Sequence, residues 1–284
     1  MSKIYRKAFS LIEVSLVIFI VSLITLVIMA GSNIVQSAKL SSAINTTNSS
    51  VVNSISGLKI WLDATSNQGL LKDEVDNDLK ISQWKSADFL TREKFTFAQA
   101  SESLKPEYKK KFINGLPALY SSSATMLESS YKPLTNDATF FLVIKNPTTT
   151  GNRTILGGSN RNFQIAIINN TSNGIQFCYD TTNCLYSHTQ SNFPKPGSNS
   201  IISIKFKSNS SDSNALSFFL NGKKTPESHS TIGRFFNRSS SSLQLSFNDI
   251  GIAEIIIFDR YLNDDRRKSV ESYLSNKWDI EVKS

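Results

Sequence analysis

The sequence holds little of the chemistry that most metal sites and enzyme families require. Its 284 residues include two histidines and two cysteines, so a metal site built on imidazole and thiolate has few ligands to draw on. No Gly-rich phosphate loop, nucleophile elbow or paired-histidine motif occurs. We therefore expect no catalytic activity and no resident cofactor.

The positive charge is too dispersed to indicate nucleic-acid binding. Of the 31 basic and 23 acidic residues, 27 and 22 follow residue 57, whereas recognition of nucleic acid needs basic residues clustered on one face. The nearest cluster is Lys105, Lys109, Lys110 and Lys111. We interpret it as a solvated loop, with an anionic glycan or DNA as the alternative ligand.

The two cysteines, Cys178 and Cys184, lie close together in a segment whose Tyr, Phe, Asx and Thr content predicts strand, turn and strand. A bridge across this hairpin is geometrically plausible, and an exported protein would hold it oxidised. Two free buried thiols are the alternative.

The amino-terminal segment has the charge pattern of a membrane anchor. Basic residues at Lys3, Arg6 and Lys7 precede an apolar run from Phe9 to Ala30. As a helix, this run would extend about 33 Å, enough to cross a hydrocarbon core of about 30 Å. The positive-inside rule then predicts a cytoplasmic amino terminus and an exported remainder.

One carboxylate, Glu13, interrupts the apolar run. An acidic residue at the centre of a membrane costs roughly 2.5–3.5 kcal/mol to insert, so such a residue indicates a function and a cationic partner. The natural partner is an amine.

A resemblance to a known family rests on the run Lys7-Ala8-Phe9-Ser10-Leu11-Ile12-Glu13-Val14. This run resembles the prepilin signal of type IV pilins and type II secretion pseudopilins, and the resemblance covers about residues 5–30. It implies that a prepilin peptidase cleaves between Ala8 and Phe9 and N-methylates Phe9. It also implies that Glu13 pairs with the terminal amine of a neighbouring pilin or pseudopilin subunit.

Two other interpretations of this segment stay open, namely an uncleaved signal anchor and a secretory signal cut after Ala30. The apolar run is long for a cleaved signal, whose apolar region typically has about 7–15 residues, and Ile28 is a poor match to the small residue required before the cut. The prepilin interpretation therefore predicts a leader (1–8) and a transmembrane and assembly helix (9–30). The head would be exported across the inner membrane, then carried on a pilus or pseudopilus in the periplasm or at the cell surface.

Residues 31–57 predict a connector that is either helical or flexible. Their many Ser, Thr and Asn residues are poor helix formers, because these side chains compete for backbone hydrogen bonds. The family resemblance implies a continuing helix.

From Leu58 onward the apolar residues alternate in steps of two, which predicts an antiparallel β-sandwich over residues 58–284. Three segments place apolar residues on one face: Ile202, Ile204 and Phe206; Leu216, Phe218 and Leu220 before an Asn221-Gly222 turn; and Leu243, Leu245 and Phe247. Residues 138–145 and 252–259 are nearly continuous apolar runs, typical of strands covered on both faces. Near the end, Asn263 predicts the N-cap of a helix whose apolar face is Val270, Tyr273, Leu274 and Trp278.

The order of the head's segments carries a second resemblance. The matching pieces are Leu58–Ala64, Ser82–Trp84, Lys105–Tyr108, Ile113–Leu119, Thr139–Val143 and Glu254–Leu262. They resemble the concanavalin A-like, laminin G-type jelly roll. The resemblance implies recognition of carbohydrates or surface proteins, in some members with a calcium ion at the rim of the sandwich, but no motif here identifies a ligand or a metal site.

Aromatic residues in the head are interpreted as core. Trp61 lies in an apolar strand and Trp278 lies on an apolar helix face, so we expect both to pack in the core. Trp61 and Trp84 are the candidates for the alternative, stacking on a sugar. The loops at 157–162, 180–183 and 221–231 are better candidates for a ligand site because they are rich in Asn, Asp and Ser.

A glycan-active enzyme is the alternative from another functional class. Retaining hydrolysis needs two carboxyl groups about 5–5.5 Å apart, but Glu254 and Asp259 would point to opposite faces of an unbroken strand. We therefore favour a minor pilin that displays a recognition or adhesion head, with a pseudopilin of a secretion apparatus as the nearest alternative.

Overall fold

The structure is a computed structural model, and part of the chain is described. The described residues are 10–66, 68–77, 79–86, 95–129, 137–158, 164–169, 174–178, 184–188, 195–207, 215–228 and 242–283, without the side chains of 27–30, 32–33, 185–188 and 227–228. The chain forms two compact units, residues 1–42 and residues 43–284.

The longest helix, α1, spans Leu11–Asn48 and is continuous from the predicted anchor through most of the predicted connector. Its last turns belong to the second unit, where Ala43 and Thr47 are buried. A single turn of 3-10 helix, Val51–Ser54, then leads into the first strand. The second compact unit therefore includes the last turns of α1 and the 3-10 turn as well as the strands that follow from Leu58.

Within the described residues, no helix combines the length and the apolarity that crossing a membrane requires. The span predicted from the sequence, residues 9–30, stays a prediction.

The head is a sandwich of two antiparallel sheets. The eight-stranded sheet contains, in spatial order, β14 (Lys223–Lys224), β13 (Leu216–Leu220), β12 (Asn199–Phe206), β7 (Ala138–Lys145), β17 (Ile250–Phe258), β5 (Leu116–Ser121) and β4 (Glu107–Ile113), with β1 (Leu58–Asp63) also paired to β17. The nine-stranded sheet contains β15 (Glu227–Ser228), β11 (Cys184–His188), β10 (Gly174–Cys178), β9 (Gln164–Asn169), β8 (Gly151–Gly158), β16 (Leu243–Phe247), β6 (Thr125–Ser129), β3 (Thr96–Ala98) and β2 (Gln83–Lys85). The antiparallel sandwich predicted from the alternating pattern is confirmed.

Two apolar layers lie on opposite faces of the eight-stranded sheet. The layer between the sheets includes Trp84, Phe140 and Leu245. The second layer lies between this sheet and helix α3, and it includes Trp61 and Trp278. Strands β7 and β17 are therefore covered on both faces, as their continuous apolar runs predict. All three tryptophans have no exposed surface, which confirms the prediction that Trp61 and Trp278 lie in the core and shows that Trp84 lies there too.

Helix α3, Asp264–Trp278, follows the predicted cap and apolar face. The Asn263 side chain accepts a hydrogen bond from the Arg266 N–H at 3.0 Å, and Val270 and Leu274 are fully buried. A short helix, α2, spans Lys72–Asp76. The Asn221-Gly222 turn between β13 and β14 is also confirmed, with φ angles of 46° and 78°, the left-handed pair of a tight hairpin turn.

The polar residues of β12 do not lie at the surface of the head. Ser203 and Lys205 are buried, because α3 lies across that face of the sheet. Ser203 donates to Glu271 at 2.7 Å, and Lys205 contacts Asp264 at 2.9 Å. The alternating pattern shows only which face is apolar, and α3 supplies polar partners for the other.

The cysteine pair is bridged. Cys178 and Cys184 lie opposite each other in the hairpin of β10 and β11, with their Cα atoms 4.0 Å apart and a bond between their sulfur atoms. The predicted hairpin bridge is confirmed.

We expect the double substitution Cys178→Ser and Cys184→Ser to lower the free energy of unfolding by about 2 kcal/mol, since the bridge restricts a short loop of the unfolded chain. Urea denaturation of the full chain in mild detergent measures this loss. Reduced wild-type protein should shift by the same amount, and an unchanged midpoint in both samples would contradict the stabilising role.

Candidate functional site

The predicted processing site lies outside the described residues, since Ala8 and Phe9 precede Ser10. Glu13 is described and lies in the first turn of α1. The carboxylate of Glu13 accepts the Ser10 backbone N–H at 2.8 Å, and the Ser10 hydroxyl accepts the Glu13 N–H at 3.3 Å. This reciprocal pair is a capping box. The Ser10-Leu11-Ile12-Glu13 spacing, a serine followed three residues later by a glutamate, is the sequence signal of such a box.

The first half of α1 exposes apolar side chains around its whole circumference. Their exposed fractions run from 46% at Ile20 and Leu23 to 89% at Leu11. The members are Leu11, Ile12, Val14, Leu16, Val17, Ile18, Phe19, Ile20, Val21, Leu23, Ile24 and Leu26. A helix that is apolar on all sides is normally covered by other helices or by lipid. We call this surface the apolar sleeve.

Hydroxyl groups within the sleeve are satisfied by the helix itself. Ser15 donates to the Ile12 carbonyl at 2.9 Å, Ser22 to the Ile18 carbonyl at 2.8 Å, and Thr25 to the Val21 carbonyl at 2.7 Å. These bonds reduce the penalty of placing polar groups in an apolar environment. Among the sleeve's described residues, Glu13 is the ionisable side chain.

A second candidate surface is the outer face of the nine-stranded sheet. Residues directly opposite each other in a sheet share a face, and Gln244 pairs with Glu128 on one side and Gly157 on the other. Gly157 in turn pairs with Gln164. Since Leu245 on the same strand points into the core, this row points outward.

The row is rich in amides and flat at its centre. Gln164 and Gln244 are half-buried, and Gln176 occupies a neighbouring outward position on β10. The Gln164 amide donates to the Thr154 hydroxyl. Gly157 lies between the two glutamines in the sheet and is itself buried, so the groups that a ligand can reach here are the two half-buried glutamine side chains. We call Glu128, Gln164, Gln176 and Gln244 the amide face.

A shallow groove of about 370 Å³ lies on the same side of the sheet, lined in part by Met126, Asn152, Thr154 and Ser246. It combines one thioether with hydroxyl and amide groups. Such a mixture of apolar and hydrogen-bonding groups suits a neutral polar ligand.

The loops predicted as ligand sites are described only in part. Residues 159–162, 180–183 and 229–231 lie outside the described residues. In the described part of 221–231, the Asn221 side chain accepts the Ile201 N–H at 2.8 Å, and Gly222 lies against the tail at Val282. Asn221 and Gly222 thus anchor this turn to β12 and to the C-terminal tail.

The prediction that the lysine cluster forms a loop holds for Lys105 but is wrong for its other three residues. Lys109, Lys110 and Lys111 lie in β4, at the edge of the eight-stranded sheet, where lysine hinders pairing with another chain's strand. Lys105 contacts Glu102 at 2.6 Å, and Lys109 contacts Glu107. Acidic neighbours thus offset part of the positive charge.

The structure brings together the carboxylates of Asp63 and Glu254, whereas the sequence analysis considered Glu254 with Asp259. Asp63 lies opposite Glu254 across β1 and β17, and Lys277 of α3 contacts Asp63 at 2.7 Å and Glu254 at 2.8 Å. All three side chains have no exposed surface, and we call them the buried triad. Asp259, the partner considered from the sequence, instead contacts Lys59 at 3.2 Å near the surface.

Glu254 accepts four hydrogen bonds. They come from the Trp61 indole at 2.7 Å, the Tyr273 hydroxyl at 2.7 Å, the Lys277 amine at 2.8 Å and the Trp278 indole at 2.6 Å. Burial raises the pKa of the Glu254 carboxyl, the Lys277 charge opposes this shift, and the Asp63 charge adds to it. Burial also raises the pKa of Tyr273 well above its ordinary value. A lone glutamate within an apolar run was the sequence signal for such a cluster, because a buried charge requires partners.

Clustered carboxylates are common ligands of the calcium ion that the family resemblance implies. Across the described residues, no group of three or more His, Cys, Asp and Glu side chains is placed to hold a metal ion.

Sequence comparison finds no relative for this chain. No family model matches it, and no curated protein matches it.

Comparison with solved structures gives distant matches. Trypanosoma rangeli sialidase in complex with sialic acid has a TM-score of 0.47 and 10% identity, over 78% of this chain and 33% of that chain. Domain 4 of AbnA, a GH43 extracellular arabinanase from Geobacillus stearothermophilus, in complex with arabinotriose, has a TM-score of 0.47 and 14% identity, over 78% of this chain and 98% of that chain. The binding domain of botulinum neurotoxin DC in complex with SialylT has a TM-score of 0.44 and 15% identity, over 70% of this chain and 52% of that chain.

This chain therefore spans about a third of the length of the sialidase that it matches. At these TM-scores and identities the matches carry no argument about what the chain binds. The functional argument rests on the residues of the chain itself.

Proposed function

We propose that this chain is a type IV pilin-like subunit, a minor pilin that carries a recognition head. The observation that carries the proposal is the apolar sleeve, which surrounds α1 from Leu11 to Leu26 and leaves Glu13 as its ionisable group. In water this surface would be strongly unfavourable, at roughly 25 cal/mol for each Å² of apolar area. Insertion in the inner membrane, and then packing among the helices of other subunits, covers it.

Glu13 supplies the polar contact within that packing. Prepilin peptidase would cut after Ala8, leaving an N-methylated amine on Phe9. The capping box holds the Glu13 carboxylate at the start of α1, four residues along the chain from the amine that cleavage would create on Phe9. In an apolar bundle, two opposite charges gain strongly from pairing and lose heavily when either is left single.

The head is proposed to lie outside the cytoplasm, at the cell surface or in the periplasm. The Cys178–Cys184 bridge supports this location, because disulfides persist in oxidising compartments. Recovery of the protein in fibres sheared from cells tests the pilus assignment. Retention in the cell envelope together with a secretion defect would favour the pseudopilin alternative.

We propose that the head is a concanavalin A-like, laminin G-type jelly roll that binds a neutral glycan on the amide face. Glutamine side chains both donate and accept hydrogen bonds, which matches the paired hydroxyls of a sugar. Recognition is favoured over catalysis because the carboxylates that come together, Asp63 and Glu254, have no exposed surface.

The double substitution Gln164→Ala and Gln244→Ala should weaken glycan binding about 10- to 30-fold, since two lost hydrogen bonds are worth about 2 kcal/mol together. Ligands are first identified by applying the full chain, in mild detergent, to an oligosaccharide array. Affinity is then measured by calorimetry. Lys223→Ala, an exposed change on the other sheet, is the matched control. Equal affinity in the double variant and the control would rule out the amide face.

A further inference from the structure

The buried triad joins the two ends of the head. Asp63 ends the first strand, Lys277 lies in the last turn of α3, and Glu254 lies between them on β17. An amine and two carboxyl groups are held in contact without access to water. The apolar and aromatic surroundings include Trp61, Tyr273 and Trp278.

We propose that Lys277 and Asp63 form an amide bond between their side chains, with Glu254 as the group that moves the protons. The reaction joins the Nζ atom of Lys277 to the Cγ atom of Asp63 and releases one water molecule. It needs no cofactor, oxidant or other protein. The inference does not depend on the function proposed above.

The geometry suits attack of the amine on the carboxyl carbon. Nζ lies 2.7 Å from Asp63 Oδ2, which places it about 3.5 Å from Cγ, the separation of a near-attack arrangement. For groups held in this way, the effective concentration of one group around the other reaches about 10⁵–10⁸ M. Such proximity makes a slow condensation feasible within the life of a protein.

The two oxygen atoms of Asp63 have different surroundings, which assigns their roles. Oδ1 accepts the Thr65 backbone N–H at 2.8 Å and the Thr65 hydroxyl at 2.7 Å. Two such donors stabilise the negative oxygen of a tetrahedral intermediate, so Oδ1 stays as the carbonyl oxygen of the amide. Oδ2, which accepts the Thr47 hydroxyl at 2.9 Å, is the oxygen that leaves as water.

Charge balance favours the uptake of one proton by the buried triad. With all three groups ionised, the triad would bury one excess negative charge, and binding one proton removes it. The raised pKa of Glu254, caused mainly by its burial, assigns that proton to Glu254. Transfer of a proton from Lys277 to Asp63 along their hydrogen bond then gives a neutral amine beside a neutral carboxylic acid.

A chain of hydrogen bonds links Glu254 to the leaving oxygen. The Tyr273 hydroxyl lies 2.7 Å from Glu254 Oε1 and 3.3 Å from the Thr47 hydroxyl, which contacts Asp63 Oδ2. Hydroxyl hydrogens rotate, so this chain can pass a proton in either direction. After attack, Glu254 gives its proton through Tyr273 and Thr47 to Oδ2, and it takes a proton from Nζ through Oε2. The products are an amide, water and the original form of Glu254.

The amide would keep the contacts with Glu254 and Thr65 and tie the head's ends together. Its N–H faces Glu254 and its carbonyl oxygen faces Thr65, so neither group loses its partner. Closing a loop of more than about 100 residues restricts the unfolded chain by about 4–5 kcal/mol or more. Since Thr47 belongs to α1, the reaction also requires that the end of this helix be seated in the head.

Mass spectrometry of the reduced full chain tests the bond. We expect wild-type protein to be lighter by one water molecule than the same chain carrying Lys277→Arg, after correction for the substitution. Both chains share any processing of the amino terminus, so that processing cancels. Tandem spectra should show the peptide of Asp63 joined to the peptide of Lys277. A folded wild-type chain without this deficit would overturn the proposal, and so would a link to Glu254.

The proton-transfer role has its own test that does not depend on the Lys277 variant. Glu254→Gln keeps the side-chain shape but removes the acid, and loss of general acid–base catalysis slows such steps about 10²- to 10⁴-fold. We expect most of this variant to be unlinked at harvest and to gain the link slowly on incubation. Thr47→Val should also delay it. Equal rates in Glu254→Gln and wild type would remove Glu254 from the mechanism.

Discussion

Replacing Glu254 with alanine is expected to destabilise the head by about 3–5 kcal/mol. The substitution leaves two buried indole N–H groups and one buried hydroxyl without their acceptor, since Trp61, Tyr273 and Trp278 all donate to this carboxylate. Each orphaned donor costs about 1–3 kcal/mol. Part of the loss is offset because Lys277 keeps its ion pair with Asp63 in this variant, in which the proposed amide would form slowly.

Thermal or urea denaturation of the full chain in mild detergent measures this effect, with near-ultraviolet circular dichroism of the buried tryptophans as the signal. Glu281→Ala is the matched control, because Glu281 is an exposed glutamate in the C-terminal tail. Surface changes of this kind usually stay within about 0.5 kcal/mol. Similar midpoints for Glu254→Ala and Glu281→Ala would show that the buried triad contributes little to stability.

Replacing Glu13 with alanine should leave export largely intact and reduce incorporation into fibres by about tenfold or more. Export depends on the apolar run and its flanking basic residues, which are unchanged. Assembly would lose its ion pair in an apolar bundle, and breaking such a pair costs about 3–5 kcal/mol because the partner charge is left uncompensated. Immunoblots of sheared fibres and of membranes, prepared from the same cells, separate the two steps.

Ser15→Ala is the control for this variant, since Ser15 lies in the same stretch of helix and bonds to its own backbone. Glu13→Gln adds a test of charge at nearly constant shape, and it should fail in assembly as Glu13→Ala does. Normal incorporation of both Glu13 variants would contradict the pairing role.

Periodicity predicts much of the fold, because the number of buried faces of a strand or helix determines where its apolar residues occur in the sequence. The apolar runs that became β7 and β17, the alternating strand β16, and the capped helix α3 all follow from local pattern. The Cys178–Cys184 bridge follows from the short hairpin between two cysteines. These features depend on neighbours close in sequence.

The remainder depends on contacts between distant segments. Lys205 has the pattern of a solvated residue and is buried because α3 brings Asp264 to it. Asp63, Glu254 and Lys277 lie far apart in the chain and meet only when β1, β17 and α3 pack. A single sequence carries no record of such pairings beyond the charge of Glu254 within its apolar run.

Of the candidate surfaces, one can be predicted from local sequence and the other cannot. Glu13 and the apolar sleeve follow from the sequence, because an isolated charge in a long apolar run is a local signal. The amide face is assembled from β6, β8, β9, β10 and β16, and their order in the sheet is not the order in the chain. The composition of the loops instead predicts a ligand site at the turns rich in Asn and Ser.

The most direct test of the pilin-like assignment is the mass of the mature amino terminus in protein isolated from its own cells. Cleavage after Ala8 with methylation of the new amine predicts a chain that begins at N-methyl-Phe9. A chain that begins at Met1 would indicate an uncleaved anchor, and one that begins at Gly31 would indicate a secretory signal. Either of these results would contradict the proposal.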